Sequence, residues 1–324
     1  MNPLLGSFEL IGFLIGLFLG SFLNVCIVRV PRGESVVSPR SHCRLCGHVV
    51  RWYDNLPVLS WLLLRGKCRD CGARISWRYP AVELAIGLWF LFAAIRIWGP
   101  LTRYGGTLPS RCFGIEPSSL MILVGNPELV GFAILGFILI GLIAIDWEWH
   151  RLPDEFTLGG IAAGMFLVCV QAIFLQPGED QVILNSTHQL RLSSPGSFAA
   201  KGNVFLTGPE ALVFGRLAAV VGAALILLIV RWAYKAMRKR DGLGLGDVNM
   251  LAMVAAFLGF WPAVLTLLLG TMLASAYGIA LMARGKAHGL TKLPLGSFLG
   301  VAGLFVALFG DGIIWWYRGL VGLG

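Results

Sequence analysis

Apolar runs of the length that crosses a lipid bilayer recur along this chain, at roughly 8–28, 80–98, 129–147, 156–175, 209–230, 248–261, 263–283 and 294–316. A membrane span needs about 20 predominantly apolar residues, because lipid gives the backbone no hydrogen-bond partner and the helix must satisfy its own N–H and C=O groups. The sixth run is the shortest and is expected to end at Trp261-Pro262. Only 13% of the residues are charged and 57% are hydrophobic, with a mean hydropathy of +0.78, whereas about a quarter of the residues in an average soluble domain are charged. The expected fold is an all-α polytopic membrane protein of about eight transmembrane helices, with a small cytoplasmic zinc-binding insert after the first helix.

Charge sets the orientation. The first run has no basic residue ahead of it and no small-residue cleavage pattern, so it does not read as a cleaved signal peptide. Its positive charges follow it, at Arg29, Arg32, Arg40 and Arg44, which places the N-terminus outside and the next loop in the cytoplasm. Counted on that topology, the inner loops hold 19 Lys and Arg and the outer loops and tail hold 5. The bias is that of a multi-pass membrane protein. The net charge of +9 is explained by basic loops facing anionic lipid head groups, and no nucleic-acid partner is needed. Three regions follow: residues 1–29 as the first transmembrane helix, residues 30–79 as a polar insert, and residues 80–324 as a helical bundle with outer loops near 99–128 and 176–208. Gly-Ser-Phe-Leu occurs at 20–23 and again at 296–299, as small residues that aid helix contact.

The chain has seven cysteines, of which four form a pattern: Cys43-Arg-Leu-Cys46 and Cys68-Arg-Asp-Cys71, with 21 residues between the pairs. Two C-x-x-C turns bring four thiolates to the corners of a tetrahedron, which suits Zn²⁺. Gly47 and Gly72 follow the second cysteine of each pair and let the backbone turn tightly behind it. Two disulfides are the competing reading, and a cytosolic position argues against them. A site closed by four cysteines is structural, so His42 and His48 are expected to be solvated loop residues. Cys26, Cys112 and Cys169 are isolated and read as small packing residues.

Acidic residues number 17, and two of them lie at the cytoplasmic ends of apolar runs. Asp146 closes the third run in "LIAIDWEWHRLPDEF", and Asp247 opens the sixth in "LGLGDVNM". At matched depth on facing helices, two carboxylates hold one proton between them, so one can activate a water while the other protonates a carbonyl oxygen. Gly242, Gly244 and Gly246 would then let an extended substrate backbone approach Asp247 closely. The plainer reading makes each aspartate a helix-end residue. Asp247 suits an N-cap, but a carboxylate at a helix C-terminus, as at Asp146, is disfavoured by the helix dipole. Asp154 reads as the N-cap of the fourth span, Glu148 and Glu155 as solvated, and Glu83, just inside the second span, as paired with an arginine.

These residues resemble the type IV prepilin peptidases, the bifunctional leader peptidases and N-methyltransferases of pilus and type II secretion systems. The matching stretches are "GSFLNVCIVRVPRGESVVSPRSHC" at 20–43, "WYDNLPVLSWLLLRGKCRDCGARISWRYPAVE" at 52–83, "IDWEWHRLPDEFTL" at 145–158, "GLGDVNMLAMVAAFLG" at 244–259 and "LPLGSFLG" at 293–300. The resemblance implies a GxGD-type aspartyl protease with Asp146 and Asp247 as the catalytic pair. It implies prepilin or pseudopilin substrates whose short basic leader is cut after a glycine at the cytoplasmic face of the bacterial inner membrane, and methylation of the new N-terminus with S-adenosylmethionine. It also links the methyltransferase to the four-cysteine insert. This chain has Asn249, Ile145 and Arg44 where members often have Lys, Thr and Pro. A peptidase without methylation is the alternative within the family, and two readings of other classes stand beside it: a proton-coupled transporter with paired acids, whose carboxylates usually lie nearer mid-span, and a non-catalytic scaffold carrying a zinc module.

Overall fold

The computed structural model describes residues 5–103, 127–174, 183–184, 190–191, 209–239, 244–285 and 293–321. Cys112, Gly242 and most of the stretches near 99–128 and 176–208 lie outside the described residues. The helices in chain order are α1 (Leu5–Arg29), α2 (Leu59–Leu63), α3 (Arg78–Arg103), α4 (Pro127–Trp149), α5 (Asp154–Phe174), α6 (Pro209–Arg238), α7 (Leu245–Leu258), α8 (Phe260–Ala283) and α9 (Leu295–Val321). Apart from α2, each carries one of the eight apolar runs. Two two-residue strands, Ile183–Leu184 and Leu190–Arg191, pair antiparallel.

Six segments are long and apolar enough to cross a membrane: Glu9–Arg32, Arg78–Ile95, Val130–Trp149, Asp154–Ala172, Leu212–Met237 and Phe260–Ala283. Leu245–Leu258 and Leu295–Gly310 are shorter apolar helices. At 14 residues, α7 is about 21 Å long, less than the roughly 30 Å hydrocarbon core. Its surroundings account for that. α7 packs against α4, α5, α6, α8 and α9, and Val248 together with Met250, Leu251, Ala252, Met253, Val254, Ala255 and Ala256 is buried. A helix enclosed by protein is apolar all round and is not held to the thickness of the lipid.

The break after α7 falls earlier than the sequence suggests. Gly259 takes φ 95° and ψ 179°, a conformation open essentially to glycine alone, and α8 starts at the next residue. Pro262 sits in the first turn of α8, where a missing N–H costs nothing. The Arg216 guanidinium donates to the Phe257 carbonyl at 3.1 Å, placing a cation at the C-terminal end of α7.

α1 and α3 touch backbone to backbone along a glycine seam. A Cβ built on Gly16 would stand 2.7 Å from the Ile86 carbonyl oxygen, and one on Gly20 would stand 2.7 Å from the Glu83 Cα. This is the small-residue contact that brings membrane helices close. The main core is built on Leu23, Ile27, Ile86, Leu135, Leu139, Leu142 and Ile145, all fully buried. Trp89 stacks on Phe132 at 4.4 Å and donates its indole N–H to the Phe132 carbonyl at 2.9 Å. Large apolar side chains such as Phe18, Phe166, Leu225 and Met272 are exposed on the outer faces of the helices.

Candidate active site and metal centre

Asp146 lies in the last turn of α4 and Asp247 in the first turn of α7. Both stand beside Leu152: a Cβ on Gly246, next to Asp247, would meet the Leu152 Cβ at 2.8 Å, and one on Gly296 would meet both Leu152 and the Asp146 carboxyl group. Asp146 is buried and is held by the start of α9: Ser297 N–H donates to Oδ2 at 2.7 Å. The Ser297 hydroxyl lies 3.0 Å from the same oxygen and 3.2 Å from the Ile143 carbonyl. This answers the difficulty of an acid at a helix C-terminus. The α4 dipole disfavours Asp146, but the unsatisfied N–H groups at the start of α9 receive it. Gly296 makes the approach possible, since a Cβ there would meet the Asp146 carboxyl carbon at 3.1 Å and Leu152 at 2.9 Å. The second Gly-Ser-Phe-Leu is therefore a carboxylate cradle as well as a helix contact.

Asp247 is not an N-cap. Gly244 occupies that position with φ −74° and ψ 151°. Asp247, three residues on, turns its Oδ2 back to accept the Gly244 N–H at 3.2 Å, the carboxylate half of a capping box. Neither Gly244 nor Gly246 has a positive φ. Gly244 is exposed. The space left by Gly246 is taken within the protein, because a Cβ there would stand 2.8 Å from the Leu152 Cβ. Asp154 is the first residue of α5 rather than its cap, and its Oδ1 accepts the Asn249 side-chain N–H at 3.3 Å, which ties α7 to α5. Glu148 forms an ion pair with Arg78, so it is paired where the sequence suggested a solvated acid.

The second polar centre is the insert. Cys43, Cys46, Cys68 and Cys71 present sulfur atoms that all lie within 4.8 Å of one another. The two turns are built alike. The Gly47 N–H donates to the Cys43 carbonyl at 2.8 Å, and the Gly72 N–H to the Cys68 carbonyl at 2.9 Å. Both glycines have left-handed φ, 71° and 69°. The bridges His42 with Val49 and Lys67 with Arg74 close the two loops. The Cys46 and then the Leu45 backbone N–H groups draw the Cys43 thiol down to about 6. At Cys71 the Ala73 N–H works in the same direction, but desolvation and the neighbouring sulfurs of Cys46, Cys68 and Cys43 push it up to about 12. A set that takes one negative charge readily and resists the next is one that a dication completes. Asp54 and Arg69 brace the insert through contacts of 2.6–3.1 Å. His42 and His48 are exposed, as expected.

Between the insert and the ends of α1 and α3 lies a cavity of about 560 Å³, reaching from Cys43 and Cys68 to Glu83. Glu83 is buried, and among the described residues it has no ion-pair partner; the expected arginine is absent there. Instead its Oε2 accepts the Val58 N–H at 2.7 Å. The Arg78–Glu148 pair and Arg32 over the Trp149 ring at 5.4 Å join this cavity to the end of α4 that carries Asp146. Ser297, Asn24 and Val58 went unread in the sequence. The only signal for Ser297 was the repeat of Gly-Ser-Phe-Leu.

Residues 14–97 match the family described as bacterial peptidase A24 N-terminal domain, and residues 197–279 match the type IV leader peptidase family. The first match contains the four cysteines and Glu83, the second contains Asp247, and Asp146 lies between them. The chain is 35% identical over 282 residues to a prepilin leader peptidase/N-methyltransferase of Myxococcus xanthus (strain DK1622), covering 86% of this chain and 65% of that protein. Proteins of the same name from Stutzerimonas stutzeri and Dichelobacter nodosus are 30% and 31% identical, covering 96% and 92% of this chain and 93% and 91% of their own lengths. No solved structure matches the chain significantly.

Proposed function

The chain belongs to the type IV leader peptidase family, and we propose that it cleaves the basic leader of type IV prepilins or type II secretion pseudopilins and N-methylates the new N-terminus. The observation that supports this reading is the position of Asp146 and Asp247 in terminal turns on either side of Leu152, at an end of the bundle joined by ion-pair and cation–π contacts to the four-cysteine insert. The 19-to-5 charge bias supports a cytoplasmic position for that end. Both acids sit in terminal turns rather than mid-helix, which disfavours a transporter.

In cleavage the dyad acts as one acid–base unit holding a single proton. One carboxylate takes a proton from a water as its oxygen attacks the scissile carbonyl carbon. The other gives its proton to the carbonyl oxygen. The tetrahedral diol then collapses, the C–N bond breaks, and the amine leaves with a proton returned from the dyad. Ser297 holds Asp146 in place throughout, and the Gly244 N–H does the same for Asp247. Gly244, exposed beside the carboxylate, leaves the backbone before Asp247 open to an extended substrate, whereas the space beside Gly246 is filled by Leu152.

Cys43, Cys46, Cys68 and Cys71 would hold a structural zinc. Its closed set of ligands leaves no position for chemistry, so its effect is to fix the fold of an insert too small to build much core. S-adenosylmethionine, when bound, supplies the methyl group. The test is to incubate the purified chain with a prepilin and S-adenosylmethionine and weigh the product. Loss of the leader with gain of one methyl group is expected. An intact prepilin would overturn the peptidase reading, and a cleaved product without the methyl group would overturn the methyltransferase reading.

A further inference from the structure

We propose that the cavity between the insert and the ends of α1 and α3 binds the methyl donor, with Glu83 and Asn24 holding the α-ammonium of S-adenosylmethionine. The inference rests on the methyltransferase reading above. At about 560 Å³ the cavity has the size of small-molecule sites, roughly 300–1,000 Å³. Its inner wall is polar and deeply buried: Asn24 is 3% exposed and Glu83 is 8% exposed. Asn24 is oriented by its own donor group, which reaches the Tyr79 carbonyl at 3.0 Å. Its Oδ1 is then left buried without a donor among the described residues, a state that native proteins rarely tolerate without a reason.

Glu83 poses the complementary demand. Its carboxylate has the Val58 N–H and the neighbouring side chains of Ser21 and Asn24, but no cation among the described residues. A buried carboxylate calls for positive charge. A primary ammonium offers three N–H donors, a positive charge and no acceptor, so one group meets both needs. Val58 adds an independent sign. It carries φ 59°, which a β-branched residue avoids, and such strain gathers at ligand clamps. The glycine contact of Gly20 with the Glu83 Cα pins the two helices that carry Asn24 and Glu83.

Two ammonium groups enter this chemistry: that of the donor and that of the new N-terminus. The donor fits the cavity better. The new N-terminus is released at the dyad among α4, α7 and α9, whereas the cavity is walled by the insert, with Trp61 and Tyr79 among its lining residues. Cys43 and Cys68 belong to the same wall, so donor binding in this cavity would depend on the metal.

The test is equilibrium dialysis of radiolabelled S-adenosylmethionine against the purified full chain, as wild type and as Glu83→Gln. Glutamine keeps a carbonyl oxygen for the Val58 N–H and removes the charge. Metal content and Tm are read alongside to confirm that the variant is folded. Loss of one charge-assisted hydrogen bond predicts donor binding about ten- to a hundredfold weaker. A peptide that begins with the mature pilin N-terminus is the second probe, and its affinity is expected to change little. Donor bound equally by both proteins overturns the inference alone, and loss confined to the peptide assigns the ammonium to the acceptor and overturns it as well. A wild type that cleaves prepilin but binds no donor overturns the methyltransferase reading with it. Ultraviolet cross-linking of the labelled donor to the wild type gives a check free of any variant. Label is expected on peptides containing Trp61 or Tyr79, and label confined to α4–α9 contradicts the site.

Discussion

The dyad and the insert solve opposite problems with few charged residues. Around the two aspartates the difficulty is to keep carboxylates inside a nearly apolar bundle, and the fold solves it with backbone: the start of α9 supplies the Ser297 N–H to Asp146 and the start of α7 supplies the Gly244 N–H to Asp247. In the insert the residues are mostly exposed, and large apolar side chains such as Leu45, Trp52, Leu63 and Trp77 face outward. Two short hairpins and an Asp54–Arg69 pair hold a segment with little core, and four thiols converge where a metal would finish the work. The first site depends on helix packing, and the second would depend on coordination. The two are therefore expected to fail separately.

The largest expected effects test the first half of that contrast. Asp146→Asn and Asp247→Asn are each expected to lower leader cleavage by roughly a thousandfold or more, since an amide supplies neither the base nor the shared proton. Zinc content and membrane insertion are expected to stay normal. Near-normal cleavage by either folded variant would remove that residue from the mechanism.

Next comes the insert. Cys43→Ser combined with Cys71→Ser is expected to reduce bound metal from one ion per chain to none, because structural zinc contributes roughly 10 kcal/mol or more to the fold that holds it. Methylation is expected to disappear while cleavage falls less. Metal analysis under reducing conditions and parallel assays decide it. A variant that methylates but does not cleave would reverse the two assignments.

A smaller effect asks why Gly246 is glycine. Gly246→Val forces a branched side chain onto Leu152, at a point where even a Cβ stands 2.8 Å away, with an overpacking cost of about 1–3 kcal/mol. If packing alone is responsible, adding Leu152→Ala restores both stability and cleavage. If the substrate backbone passes here, the double variant regains Tm and stays slow. Ser297→Ala is expected to have the smallest effect. It removes the hydroxyl but keeps the N–H, at a cost of about 1 kcal/mol, so cleavage is expected to fall several-fold and no further.

Much of this was legible in sequence because it is local. Each apolar run became a helix, and the paired C-x-x-C-Gly turns folded as their spacing implied, down to left-handed Gly47 and Gly72. What was not legible is tertiary. Ser297 meets Asp146 across 151 positions of sequence, and no local pattern carries that. Gly246 looked like room for a substrate, yet Leu152 fills the space beside it. Glu83 suggested an arginine partner because a buried acid usually has one, and the structure gives it Val58 instead. The end of α7 was misplaced because Pro262 is the obvious breaker, whereas Gly259, with its unusual φ and ψ, makes the turn.

The most direct test of the two-centre account is to give Asp247→Asn protein a pilin whose leader has already been removed, together with S-adenosylmethionine, and to weigh the pilin over time. The account predicts one added methyl group at the wild-type rate from a protein that cannot cut a prepilin. A protein that leaves the mature N-terminus unmethylated, while retaining its metal and its fold, would contradict the separation of the two centres.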